Sequence, residues 1–135
     1  MPRAHAPPDA PATPERLRDA IVAAENGDPD ALRGVLDRAV VWHTPSANLT
    51  GGDHNGREQV IELVREQRRL SGGTLHVDGR AVQATSLVLH ATGAREGHGK
   101  LDQDEEIRFT LAEGKVTELW TKPRDPRTWD SFWSP

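Results

Sequence analysis

The side chains of this chain that could do chemistry are imidazoles and carboxylates on strand-like runs, with tryptophans beside them. The run "AVVWHTP", residues 39–45, passes from apolar residues into Trp42, His43 and Thr44 before Pro45 stops it. An imidazole titrates near neutrality, so His43 is a candidate general base or ligand hydrogen-bonder. In "VTELW", residues 116–120, strand alternation puts Val116, Glu118 and Trp120 on one face. A carboxylate there is costly to bury unless paired, and burial would raise its pKa enough to let it shuttle protons. In "LDQDEEIRF", residues 101–109, Ile107, Phe109 and the following Leu111 look core-facing. Gln103 and Glu105 continue that line, making Glu105 a candidate rim acid. Each group also has a plainer reading. His43 could bond a neighbouring strand or sit at a subunit face, Glu118 could pair outward with a cation such as Arg108, and Glu105 could be solvated.

Other groups carry less chemistry. His76 and Asp78 share one strand face and His90 lies opposite Leu87 and Leu89, which reads as outer-face placement; His54 and His98 fall in loops. No helix-spaced histidine pair is present, so no metal site and no cofactor are expected. The chain has no Cys, which excludes thiolate catalysis and a disulfide framework. Formal charge is −4, from 17 basic and 21 acidic residues, and no basic stripe appears, so nucleic acid is not an expected partner. No apolar run approaches the roughly 18 residues of a membrane span, and "MPRAHAPPDAPATP" lacks a signal-peptide core. A cytoplasmic protein is expected.

The elements that must position these groups follow from periodicity and punctuation. Residues 1–12, rich in Ala and Pro, read as a disordered tail, and residues 13–135 as one domain. Thr13 and Pro14 open a helix with Leu17, Ile21 and Ala24 on one face, which Gly27 ends. Asp28-Pro29 caps a shorter helix carrying Leu32, Val35 and Leu36. A strand spans roughly 39–44, and a glycine-rich loop follows. Asn55 and Glu58 fit a capping box for a helix through Val60, Ile61 and Val64, with Gly72 and Gly73 as its stop. Four strands complete the pattern, reaching 84, then 86–95, 101–112, and 123. Asp125-Pro126 starts a final helical turn with Trp129, Phe132 and Trp133, at spacings that could plug one end of the domain. Helices early and strands late indicate α+β.

This order, with "NGDPDALRGVLDRAVVWHTP", "GGDHNGREQVIELV", "LSGGT" and "GKVTELWTKPRDPRTWDSFW", resembles the nuclear-transport-factor-2-like superfamily, whose relatives include SnoaL-like polyketide cyclases and ketosteroid isomerase. The resemblance covers nearly the whole chain after residue 13. It implies a curved antiparallel sheet wrapped by three helices into a cone, one apolar pocket at its open end, and a homodimer through the outer sheet face. Ketosteroid isomerase uses an Asp before a Pro at the end of its first strand, where this chain has Thr44. Its protonated Asp aligns near Ile107, and its oxyanion-hole Tyr has no counterpart in a chain without Tyr. Steroid isomerisation by that set is excluded. If Thr44 takes the Asp position, Trp42 and Thr44 face the pocket and His43 looks away; a one-residue bulge reverses this.

The expected function is cofactor-independent acid/base catalysis (cyclisation, isomerisation or dehydration) on a small hydrophobic metabolite. His43, Glu118 and Glu105 are the catalytic candidates, and Trp42, Thr44, Phe109 and Trp120 the pocket wall. The alternative is a non-catalytic binding protein for a small hydrophobic ligand. A third is an interaction domain with a filled cone.

Overall fold

The computed structural model describes residues 10–45 and 47–135; the expected tail lies outside the described residues as far as residue 9. Its end is packed, because Ala12 is buried and its N–H donates to the Gly114 carbonyl at 2.8 Å. Helix α1 is Pro14–Glu25. Thr13 caps it as expected, its Oγ1 accepting the Arg16 N–H at 3.1 Å. The far end is held by Asn26, whose side chain exchanges hydrogen bonds with the backbone of Val77 at 2.8 and 2.9 Å. The second helix is a 3-10 helix, Pro29–Gly34, and Leu36 belongs to the strand after it.

That strand, β1, is Leu36–Thr44, three residues longer at its start than its apolar run suggested. A short strand follows where a loop was expected: β2, Gly52–Asn55, pairs antiparallel with β1. Helix α2 is Arg57–Leu70. The expected capping box is absent. Asn55 ends β2, Glu58 pairs with Arg33 outside the helix, and Gly56 is the N-cap with φ of 91°. That conformation is easy only for glycine, and it brings the Gly56 N–H to the Val40 carbonyl at 2.7 Å.

Strands β3 (His76–Val82), β4 (Ser86–Arg95), β5 (Gly99–Ala112) and β6 (Lys115–Pro123) follow, then helix α3, Pro126–Phe132. The six strands form one open sheet in the order β2-β1-β6-β5-β4-β3. Neighbours are antiparallel except β1 and β6, which run parallel. Helices α1 and α2 bury Leu17, Ile21, Val60, Ile61 and Val64 against the concave face, in one core with Leu87, Leu89, Ile107 and Leu119. Trp129, Phe132 and Trp133 of the α3 region are buried in the same core and pack edge to face, with Phe132 and Trp133 rings 4.8 Å apart.

One irregularity decides which side chains reach the concave side. The β5–β6 register shifts between the Thr110–Glu118 and Leu111–Val116 pairs, leaving Thr117 as the extra residue of a bulge. Val116 and Leu119 both point inward, three positions apart, and Glu118 and Trp120 point outward. The expected single face holding Val116, Glu118 and Trp120 is therefore split.

Candidate functional site

The concave interior holds a narrow cavity lined by Glu25, Trp42, Thr44, Gln67, Glu105, Thr121, Trp129 and Trp133, with Leu63, Leu75, Val77 and Ala91 as its apolar wall. The space open to a water molecule's centre is about 10 Å³, room for about one water.

Glu105 is brought there by strand alternation. Leu101, Gln103, Glu105, Ile107 and Phe109 are all buried on the concave face of β5. It is an interior group rather than a rim group, 6% exposed, and no described residue hydrogen-bonds to its carboxyl. Burial lifts its pKa from the ordinary 4.5 to about 7. Glu25, the last residue of α1, faces it from the helical side and is equally buried. Burial raises the Glu25 pKa well above the carboxylate range; the charge of Glu105 adds to this, and Arg68 opposes it. The charge of Glu105, once ionised, helps to hold the proton on Glu25. The Gln67 amide of α2 lies 3.2 Å from both Glu25 oxygens and, turned nitrogen-first, donates to them.

The tryptophans differ in how their N–H groups are used. Trp42 donates to Thr121 Oγ1 at 2.8 Å. Trp129 and Trp133, 3% and 0% exposed, have buried Nε1–H groups with no acceptor among the described residues. The Thr44 hydroxyl is engaged, donating to the Thr50 carbonyl at 2.5 Å and lying 3.2 Å from His54 Nε2. His54 is therefore a structural partner within β2 rather than a solvated loop residue.

Helix α3 closes one side of this interior. Its N-cap Asp125 accepts from Thr128 N–H at 3.2 Å. Arg95 donates to the carbonyls of Phe132 and Ser134 at 2.5 and 2.9 Å, Asn48 donates to Asp130 at 2.8 Å, and Leu49 N–H donates to the Trp133 carbonyl at 3.0 Å.

Among the sequence candidates, Glu105, Trp42 and Thr44 meet at the cavity. Phe109 is buried on the same face without lining it. His43, Glu118 and Trp120 meet on the convex face. His43 Nδ1 is 2.7 Å from Asp53 and Nε2 is 2.6 Å from Glu118, and its ring stacks on Trp120 with centroids 5.4 Å apart. Both carboxylates raise its pKa above 6.5, Asp53 more than Glu118. Arg108 pairs with Glu106 rather than Glu118. His90 repeats the convex pattern, bridging Asp104 and Asp102 at 2.7 and 2.6 Å. No group of three or more His, Cys, Asp or Glu suited to a metal ion occurs among the described residues.

Glu25 and Gln67 were not singled out in the sequence, although both lie on helical apolar stripes. Leu17, Ile21 and Glu25 are spaced by four, and Val60, Val64 and Gln67 by four and three. A polar residue in register with such a stripe is the signal that finds them.

No protein-family model matches the chain. An uncharacterized protein of Mycobacterium tuberculosis is 25% identical over 122 residues, covering 87% of this chain and 93% of that protein. Among solved structures, Bal32a from a soil-derived mobile gene cassette matches at 27% identity with a TM-score of 0.79, covering 88% of this chain and 94% of that one. A Xanthomonas campestris protein with a cystatin-like fold matches at 22% identity and a TM-score of 0.76, covering 92% and 100%. Nuclear-transport-factor-2-like, SnoaL-like and ketosteroid-isomerase-like folds are among the other structural matches, so the cone fold read from the sequence is the fold of this chain. Among the described residues, no helix is long and apolar enough to cross a membrane.

Proposed function

We propose that this chain is a cofactor-independent acid/base catalyst for a small, largely apolar metabolite, working from the Glu25–Glu105 pair. The observation that supports it is two buried carboxyl groups on opposite walls of one cavity with their proton affinities split. Near pH 7, Glu105 exists as carboxylate and acid in comparable amounts, which suits a general base. Glu25, which burial makes hold its proton more tightly than an ordinary carboxyl, suits a general acid. In the step proposed, Glu105 takes a proton from a carbon beside a carbonyl, and the electron pair moves into the developing enolate. A proton then returns to carbon, from Glu105 at the same position or from Glu25 at another. The apolar wall keeps both carboxyls out of bulk water, the pKa-splitting arrangement that acid/base sites exploit.

With room for about one water, the cavity takes a ligand of several carbons only when a wall moves. The convex-face residues His43 and Glu118 take no step in this reading.

The test is exchange at carbon. The chain is incubated in D₂O with acetone, butanone and cyclopentanone, and loss of the α-proton signal is followed by NMR. The expected result is exchange above the buffer rate, rising with pH through about 7 and falling by a factor of about 10²–10⁴ in Glu105→Gln. Binding without exchange would favour the non-catalytic binding protein, and neither would remove the reading.

A further inference from the structure

We infer that the paired indole N–H groups of Trp129 and Trp133 are the recognition site for an oxygen acceptor on the ligand, which fixes the ligand class as small apolar carbonyl compounds. This rests on the reading that the Glu25–Glu105 cavity is the functional site.

A buried N–H without an acceptor is destabilising, and most buried polar groups in native proteins are partnered. Three buried side-chain donors lack a hydrogen-bond acceptor among the described residues: Arg57 Nε, Trp129 Nε1 and Trp133 Nε1. Arg57 lies at the start of α2 outside the cavity lining, whereas both tryptophans line the cavity that holds the two carboxyls. Trp42 shows what the same wall does with an ordinary structural tryptophan, since its N–H is satisfied by Thr121. The two unpartnered indoles are one helical turn apart, at i and i+4, with ring centroids 6.1 Å apart and planes inclined at 67°. Two N–H groups on one turn, lining a cavity with room for about one water, suit one oxygen atom carrying partial or full negative charge.

The chemistry of the opposite wall narrows the ligand. Burial raises the pKa of both carboxyls, that of Glu105 to about 7, so at pH 7 the cavity carries less negative charge than two ordinary carboxylates would bring. A ligand cation would call for ionised carboxylates, and a carboxylate ligand would meet Glu105 as a like charge. A neutral carbonyl suits both walls, its oxygen on the indoles and its adjacent C–H toward Glu105. When that proton moves to Glu105, the electron pair ends on the oxygen, and the two N–H groups receive the developing charge.

The test uses the indole N–H resonances of the intact chain. Its four tryptophans give four signals, assigned by single Trp→Phe variants. The probes are acetone, butanone and cyclopentanone, with methylenecyclopentane as the shape-matched compound lacking the oxygen. The expected result is downfield movement of the Trp129 and Trp133 signals with a ketone, while Trp42 and Trp120 stay in place. Methylenecyclopentane should bind about ten- to a hundredfold more weakly than cyclopentanone, because it leaves both donors unpaired. Failure of every ketone to move the two signals, or equal binding and movement with methylenecyclopentane, overturns the inference. Indole movement without exchange at carbon would leave oxygen recognition standing and remove the catalysis. Exchange at an undiminished rate in folded Trp129→Phe and Trp133→Phe would do the reverse.

Discussion

The two faces of the one sheet use the same residue types to opposite ends. On the concave face, Glu105 is buried with no hydrogen-bond partner among the described residues, and its carboxyl resists ionisation. On the convex face, Asp53 and Glu118 remain in contact with solvent and hold His43 between them, so the imidazole resists losing its charge. The lesson is that titration chemistry belongs to the environment rather than the residue type. Both arrangements lose stability as pH rises, for different reasons and in different windows. Glu105 is folded at little electrostatic cost below 4.5, and the penalty of its charge grows until pH exceeds about 7. His43 contributes fully below 6.5, and that contribution fades as pH climbs through its raised folded-state value.

Replacing large side chains should separate the faces most. Trp133→Ala empties a fully buried position and should cost about 3–5 kcal/mol in denaturant unfolding. Trp120→Ala removes a ring that is 38% exposed and should cost less than about 1 kcal/mol. Equal costs would break the comparison. Next in size, Glu105→Gln should stabilise the chain at pH 8 by roughly 3 kcal/mol and do little at pH 4. It should also flatten the stability profile between 4.5 and about 7. A smaller effect is expected at His43, read by its ring-proton titration. Its midpoint should lie above 6.5 and drop further in Asp53→Asn than in Glu118→Gln. The smallest is the change in stability of Glu118→Gln at neutral pH, less than about 1 kcal/mol, because a half-solvated pair contributes little.

Much of the frame was legible because local signals agreed with it. Thr13-Pro14 and Asp125-Pro126 announced the starts of α1 and α3, and strict alternation gave β4 from Ser86 to Arg95. Strand β2 was not legible, since "GDHN" has no apolar alternation and exists as a strand through its pairing with β1. The bulge at Thr117 has no local signature either, yet it sends Glu118 and Trp120 to the convex face. The site was half legible. Glu105 stood in line with Ile107 and Phe109, and Trp42 with Thr44. Glu25 and Gln67 needed the helical register to be read for polar residues as well as apolar ones.

The central claim is that Glu105 is a buried carboxyl poised near neutrality in the same cavity as a second buried carboxyl, Glu25. Its most direct test is the carboxyl carbon titration of Glu105, followed by NMR in the native chain and in Glu25→Gln. The account predicts a midpoint at about 7, nearly unchanged in the variant because burial, not the charge of Glu25, raises it. A midpoint at the ordinary 4.5, or a large shift on neutralising Glu25, would contradict it.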